Sequence, residues 1–424
     1  MPSSTCDRGR MISARSGLSI VFGCLASLGL AGLATAQQPG AKPAAATTAP
    51  AKPAVAAPAP AAPPKISPAA DPATFLTIPQ YDEGLRKGRT GILAILRAGK
   101  LNPDQEQFFD TYYSRYSMGR WTVPGNYALL PGFRKELRND LQLAKVGDAH
   151  TRLNDLVFGA MTKIASANFH PVVRVNAMLM IDELNSEDPP RATDLPVPYH
   201  QAVPVLLQTV DDPQQLDAVK AAALVGLLRH VRLGVRDEVR DQVTTSMLNL
   251  AKSPSAPGRS ADGHAWLRSQ AIEILGVLKS VGPANSVANV LTQIAGDQAA
   301  PMMVRRAAAR ALGGLSFQIA VSFNGSATAS ALARFTIAAI DASRAEAGQR
   351  KETACRRLKS NMLAASGGIN GLADSLKEPA HQKFVASVRD EIAKLARTCD
   401  RSDDEAILTQ AAASAVALGK LAAP

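Results

Sequence analysis

The chain has 424 residues, of which 46% are hydrophobic and only 4% aromatic, and it carries 47 Lys and Arg against 36 Asp and Glu, a formal net charge of +11. With four Cys it is no disulfide scaffold, and with no long apolar run beyond its N-terminal segment it is not a polytopic membrane protein. A core that Ala, Leu and Val must supply almost alone leans towards helix.

Residues 1–36 place Arg8, Arg10 and Arg15 before an uncharged stretch, Gly17 to Ala36, that ends in Ala34-Thr35-Ala36. A basic head, an apolar middle and a small-x-small end describe a secretory signal peptide, with an uncleaved membrane anchor as the alternative. Residues 37–72 hold ten Pro and fourteen Ala, a composition that buries no core and favours extended polyproline II. This reads as a disordered spacer. Each of these two segments takes away three basic residues and one acidic residue, which leaves the remaining chain at only +7. That mild excess argues against a nucleic-acid footprint.

Residues 73–150 read as an N-terminal helical cap. Eight of the nineteen aromatics fall between Phe108 and Phe133, and Phe109, Tyr112, Tyr113 and Tyr116 follow helical spacing. Rings at that spacing usually fill a core. Trp121 and Tyr127 lie beside Pro124, Gly125, Pro131 and Gly132, which predicts a loop and makes these two the candidates for exposed, partner-binding rings.

Residues 151–316 repeat. Val173-Arg174 precedes Ala177, Ile181 and Leu184; Val219-Lys220 precedes Ala223 and Leu227; Leu267-Arg268 precedes Ala271, Leu275 and Leu278; Val304-Arg305 precedes Ala308, Leu312 and Leu315. Spacings of four, four and three put the apolar members on one helical stripe, and the central Ala lets a neighbouring helix approach. The basic positions recur after 46, 48 and 37 residues, the length of two helices and their turns. Each copy follows a second amphipathic stretch, beginning at Leu153, Val203, Val239 and Val287, and breakers such as Asp211-Asp212-Pro213 and the insertion 253–263 separate the members.

This pattern resembles HEAT repeats, with Val304-Arg305-Arg306 and the Ala-rich run after it as the nearest match. The resemblance implies an all-α fold: a right-handed α-solenoid of antiparallel helix pairs. It also implies that a turn Asp, such as Asp212 or Asp297, pairs with the basic residue of the second helix in a ladder between repeats. Residues 327–424 are expected to add two further helix pairs that close the C-terminal end, with Ser366-Gly367-Gly368 punctuating the first.

Basic clusters supply the remaining candidates. Arg229, Arg232, Arg236 and Arg240 fall on one face if helical, and Arg305, Arg306 and Arg310 cluster on the fourth copy. They are read either as an anion-binding stripe or as solvated faces balanced by acids such as Asp237, Glu238 and Asp241. Cys355 and Cys399 are the cysteines left after signal removal; in an exported chain their bond would close a 45-residue loop worth about 3–4 kcal/mol, the alternative being two packed thiols. No Gly-x-Ser-x-Gly, P-loop or His-Glu-x-x-His occurs, and the six His are isolated, so no cofactor or metal is expected. The expected function is a non-enzymatic scaffold outside the cytoplasm, binding a protein partner on its concave face. An enzyme with a site built across repeats, or an envelope protein binding an anionic polymer or lipid, is the alternative.

Overall fold

The computed structural model describes residues 75–422 apart from 79, 190, 192, 256, 378 and 402; the expected signal peptide (1–36) and spacer (37–72) lie outside the described residues. The described chain is all-α. It opens with α1 (Arg89–Ala98), α2 (Pro103–Thr111) and α3 (Leu130–Ala144), joined between α2 and α3 by a π-helical turn, Tyr112–Ser117, and two short 3-10 helices. Phe109, Tyr112, Tyr113 and Trp121 are buried here, and Asp140 ties the cluster together. Its carboxylate accepts from Nη1 and Nη2 of Arg89, each at 2.6 Å, and from the Tyr113 hydroxyl at 2.9 Å.

Eight helices follow: α4 (Asp148–Ser166), α5 (Pro171–Glu183), α6 (Ala202–Asp211), α7 (Asp217–Leu233), α8 (Asp237–Lys252), α9 (Ala261–Leu278), α10 (Ser286–Gly296) and α11 (Met302–Leu312). Within the series α4 packs on α5, α6 on α7, α8 on α9 and α10 on α11. The even-numbered helices lean mainly on these partners, whereas α5, α7, α9 and α11 also pack on one another in succession. Local chemistry sets the boundaries. Pro171 opens α5 where its missing N–H costs nothing, and His170 accepts from the Val172 amide through Nδ1. Ser260 caps α9 by accepting from the Gly263 amide. Asp212 and Asp297 each fold back on the backbone two residues ahead, accepting from the Gln214 and Ala299 amides at 2.8 and 2.9 Å.

The repeated basic residue turns inward. Arg174 donates through Nε to the Ala165 carbonyl at 3.1 Å, Lys220 through Nζ to Val210 at 2.9 Å, Arg268 through Nε to Ala251 at 2.9 Å and Arg305 through Nε to Ala295 at 3.1 Å. Every acceptor is the penultimate residue of the preceding helix, where carbonyls lack intrahelical partners and the helix dipole is negative. Arg174 also reaches Gln215, and Arg305 reaches the Arg334 carbonyl at 3.3 Å, so these two join neighbouring helix pairs. The expected Asp–basic ion pairs do not form among the described residues. The turn carboxylates are taken by backbone amides, and Asp212 and Asp297 act on the four cations only across a distance.

Two features depart from the expectations. A two-stranded antiparallel hairpin, β1 (Asn185–Glu187) with β2 (Val197–Pro198), interrupts the helices after α5. Ser366-Gly367-Gly368 does not punctuate: it lies inside α12 (Gly325–Ser375), whose single break is at Arg350 (φ −143°, ψ 65°). There the chain reverses, since Ala339 and Ile340 share a buried cluster with Cys355 and Leu358, and Gly325 abuts Leu376. Limb 325–349 packs on α10 and limb 351–375 on α11. The glycines make that second contact possible. A methyl at Gly368 would stand 2.3 Å from the Ala309 carbonyl, and one at Gly371 would stand 2.3 Å from that of Gly313. Two further helices, α13 (Pro379–Arg401) and α14 (Asp404–Ala422), follow and pack on α12.

Candidate functional site

Because Leu267, Ala271, Leu275 and Leu278 bury one stripe of α9, and Val304, Ala308 and Leu312 one stripe of α11, the opposite stripes face outward together. On α9 that outward stripe carries Trp266, Gln270 and Glu273; on α11 it carries Met303, Arg306 and Arg310. Between them runs a groove of about 490 Å³. Its floor is low because the helices nearly touch: a methyl at Gly276 would stand 2.9 Å from the Ala311 Cα, and one at Gly314 would stand 2.8 Å from the Gly276 carbonyl. Small residues at a helix crossing permit such an approach. A second cavity of about 680 Å³ shares Met303 and Arg306 with the first and extends along α12 to Glu346 and Asn361.

The electrostatics of this surface are unbalanced. Glu273 accepts from Arg232 at 2.6 Å, and Glu346 from Arg357 at 2.8 Å, so both groove carboxylates are already engaged. Arg306 makes one long contact, 3.5 Å from Nη1 to the Ser360 hydroxyl, and the Arg310 guanidinium has no partner among the described residues. Trp266 is 36% exposed and Met303 37%, which puts a large aromatic and a flexible thioether beside two uncompensated cations. Trp and Arg are the residue types that most often dominate binding energy at interfaces. The arrangement can hold an anionic, partly apolar ligand.

The residues singled out from the sequence distribute differently. Trp121 is fully buried: the Pro/Gly-flanked segment is 3-10 helical and folds the indole into the aromatic cluster instead of offering it to solvent. Tyr127 is half-buried and stacks on His170, with ring centroids 4.4 Å apart. The series Arg229 to Arg240 does not share one helical face, because Gly234 (φ 107°) ends α7 and Asp237 starts α8. Arg229 turns inward to the Asp182 carbonyl at 2.7 Å and to Asn185, Arg232 pairs with Glu273, and Arg240 lies 3.4 Å from Asp237. Arg236 occupies the N-cap position of α8 and is exposed. Arg305 is buried in its carbonyl contacts, so of its cluster only Arg306 and Arg310 reach the groove. Cys355 and Cys399 are free, buried thiols and not the expected disulfide; they belong to one small apolar cluster, and burial pushes each up to about 11.

Trp266 escaped the sequence reading, although it could have been found. It immediately precedes the apolar-basic pair of the third copy, on the face that the repeat pattern turns away from the core. Among the described residues no group of three or more His, Cys, Asp or Glu is placed to hold a metal ion, and no helix is long and apolar enough to cross a membrane. The chain matches no protein-family model, and neither characterised proteins nor solved structures match it.

Proposed function

We propose that the chain is an exported, non-enzymatic scaffold that binds a protein partner through the outward face of its second helices. In this reading α4 to α12 form a right-handed α-solenoid of HEAT-like pairs, residues 73–150 cap its start, residues 1–36 direct export and residues 37–72 act as spacer. The groove between α9 and α11 carries the reading. Exposed Trp266 and Met303 beside the uncompensated Arg306 and Arg310 form an apolar centre with a charged rim, as partner-binding surfaces do. Rigidity supports it as well: the helices that bear these side chains are held by buried cations on helix-end carbonyls and by main-chain contacts at glycine, so the surface is formed before any partner arrives.

The test is affinity capture of the tagged full chain from the envelope and medium of the producing cell, beside a Trp266→Ala/Arg310→Ala variant. A stoichiometric protein recovered by the native chain and lost by the variant is the expected result. No stoichiometric partner, or one that the variant retains, overturns the assignment.

A further inference from the structure

The second cavity is lined by a residue, Asn361, that carries a polar atom the fold leaves unused. Asn361 is 4% exposed, it lines the cavity beside Arg306, and its Oδ1 is buried without a hydrogen-bond partner. A buried polar atom left in this state is costly, and the cost is recovered when a ligand supplies the missing donor. A carboxamide presents one acceptor and two donors in a plane, which matches the N–H and C=O of a peptide main chain. One turn of α11 runs from Arg306 to the unpartnered Arg310, with Met303 on the same helix and Trp266 across the groove on α9. Both carboxylates along the surface, Glu273 and Glu346, are neutralised by Arg232 and Arg357, which leaves the two α11 cations without counter-charge.

We propose that the occupant is an extended acidic peptide segment of the partner: a side-chain carboxylate lies on Arg306 and Arg310, an apolar side chain lies against Trp266, and a main-chain N–H donates to Asn361 Oδ1. This deepens the scaffold reading and rests on it. Charge complementarity selects an acidic ligand over a basic one, and planar guanidinium groups suit carboxylates. An extended peptide supplies a carboxylate, an aliphatic side chain and a main-chain N–H from one short segment, the three groups that Arg306 and Arg310, Trp266 and Asn361 would each engage. No covalent step is involved.

The experiment selects a displayed random dodecapeptide library on the full chain. Affinities of the enriched peptides are then measured by fluorescence anisotropy for the native chain, for Arg306→Gln, Arg310→Gln and Asn361→Ala, and for the double Arg306→Gln/Arg310→Gln variant, each first shown by thermal melting to be folded. Enrichment of Asp and Glu, with a loss of about tenfold for each single variant and about a hundredfold for the double Arg variant, is expected from the usual strength of charge-assisted hydrogen bonds. The affinity should also weaken as salt is raised. Peptides without acidic excess, or acidic peptides that bind the double variant as tightly, overturn the proposal. Polygalacturonate that binds and loses affinity with the same variants, where no peptide does, makes the occupant an anionic polymer and overturns it too. If no peptide binds while the native chain still captures a partner that Trp266→Ala releases, this inference fails and the scaffold reading stands; if no partner is captured either, both fail.

Discussion

Arg305 Nε lies 3.1 Å from the Ala295 carbonyl, and the same guanidinium reaches the Arg334 carbonyl at 3.3 Å, so one buried cation ends α10 and joins it to α12. Burial pushes the pKa of Arg305 down, yet the two carbonyls, Asp297 nearby and the Phe335 ring 5.8 Å away keep it favourable to hold a charge there. Removing the side chain leaves buried acceptors bare. Arg305→Ala is expected to cost about 3 kcal/mol, whereas Arg310→Ala, five residues along the same helix and exposed, should stay within about 0.5 kcal/mol. Urea denaturation of the two variants checks the contrast; equal midpoints would remove the structural role assigned to the repeated basic residue.

Adjacent glycines make an equally sharp pair. Gly367 has open space where a methyl would go, and Gly368 faces the Ala309 carbonyl. Gly367→Ala should stabilise the helix by about 1 kcal/mol through lost backbone entropy. Gly368→Ala must push two helices apart and should destabilise by about 3 kcal/mol. Thermal melts of both variants, read against the native chain, decide it.

His230 predicts a pH dependence. It is fully buried, neither ring nitrogen has a partner, and burial, helped by Arg229 and His200, holds its pKa down at about 3. The unfolded chain therefore binds a proton that the folded chain refuses, so the stability associated with the neutral ring is present above pH 6.5 and is lost as pH falls towards 3. His230→Leu removes that term. Its stability relative to the native chain should improve by about 2 kcal/mol between pH 7 and pH 5, measured by denaturant titration at each pH.

Asp182 runs in the opposite direction. Burial raises it to about 6, so the folded chain holds the proton more tightly and the associated stability is lost as pH rises through 6. The advantage of Asp182→Asn over the native chain should be about 1 kcal/mol larger at pH 7 than at pH 5. A flat difference would show that the carboxylate is solvated.

The two thiols can be titrated directly. With pKa values near 11, roughly one thiol in a thousand is ionised at pH 8, and both are buried. Iodoacetamide at pH 8 should leave the folded chain unmodified and label both cysteines after denaturation without reductant. Labelling that requires reductant would show a disulfide between Cys355 and Cys399.

How much of this the sequence carried depended on whether the deciding interaction was local. The apolar-basic-Ala stripe was legible because residues four apart on a helix share a face whatever surrounds them, and the helices at Pro171 to Glu183 and Met302 to Leu312 follow from it. Gly234 also carried a local signal, a helix stop, which the stripe drawn from Arg229 to Arg240 overrode. Trp121 and Ser366-Gly367-Gly368 were misread for a different reason. Pro and Gly beside Trp121 mark a turn without fixing which way the ring points. Glycine, in turn, breaks an isolated helix but serves as a contact surface once α11 lies against it. The groove depended on tertiary structure most of all: its walls come from three helices, and only their packing shows that Arg305 is consumed by carbonyls while Arg310 is left without a partner.

The glycine contact also acts as a gauge. Arg306 stands on α11 and Asn361 on the second limb of α12, and nothing bulkier than a hydrogen separates those two backbones at Gly368 and Gly371. The aperture between the cation and the carboxamide is thus calibrated by main chain at its lower limit, out of reach of any ligand. A methyl at either glycine would collide with a facing main-chain carbonyl and press the two backbones apart, so a substitution outside the cavity can change its width.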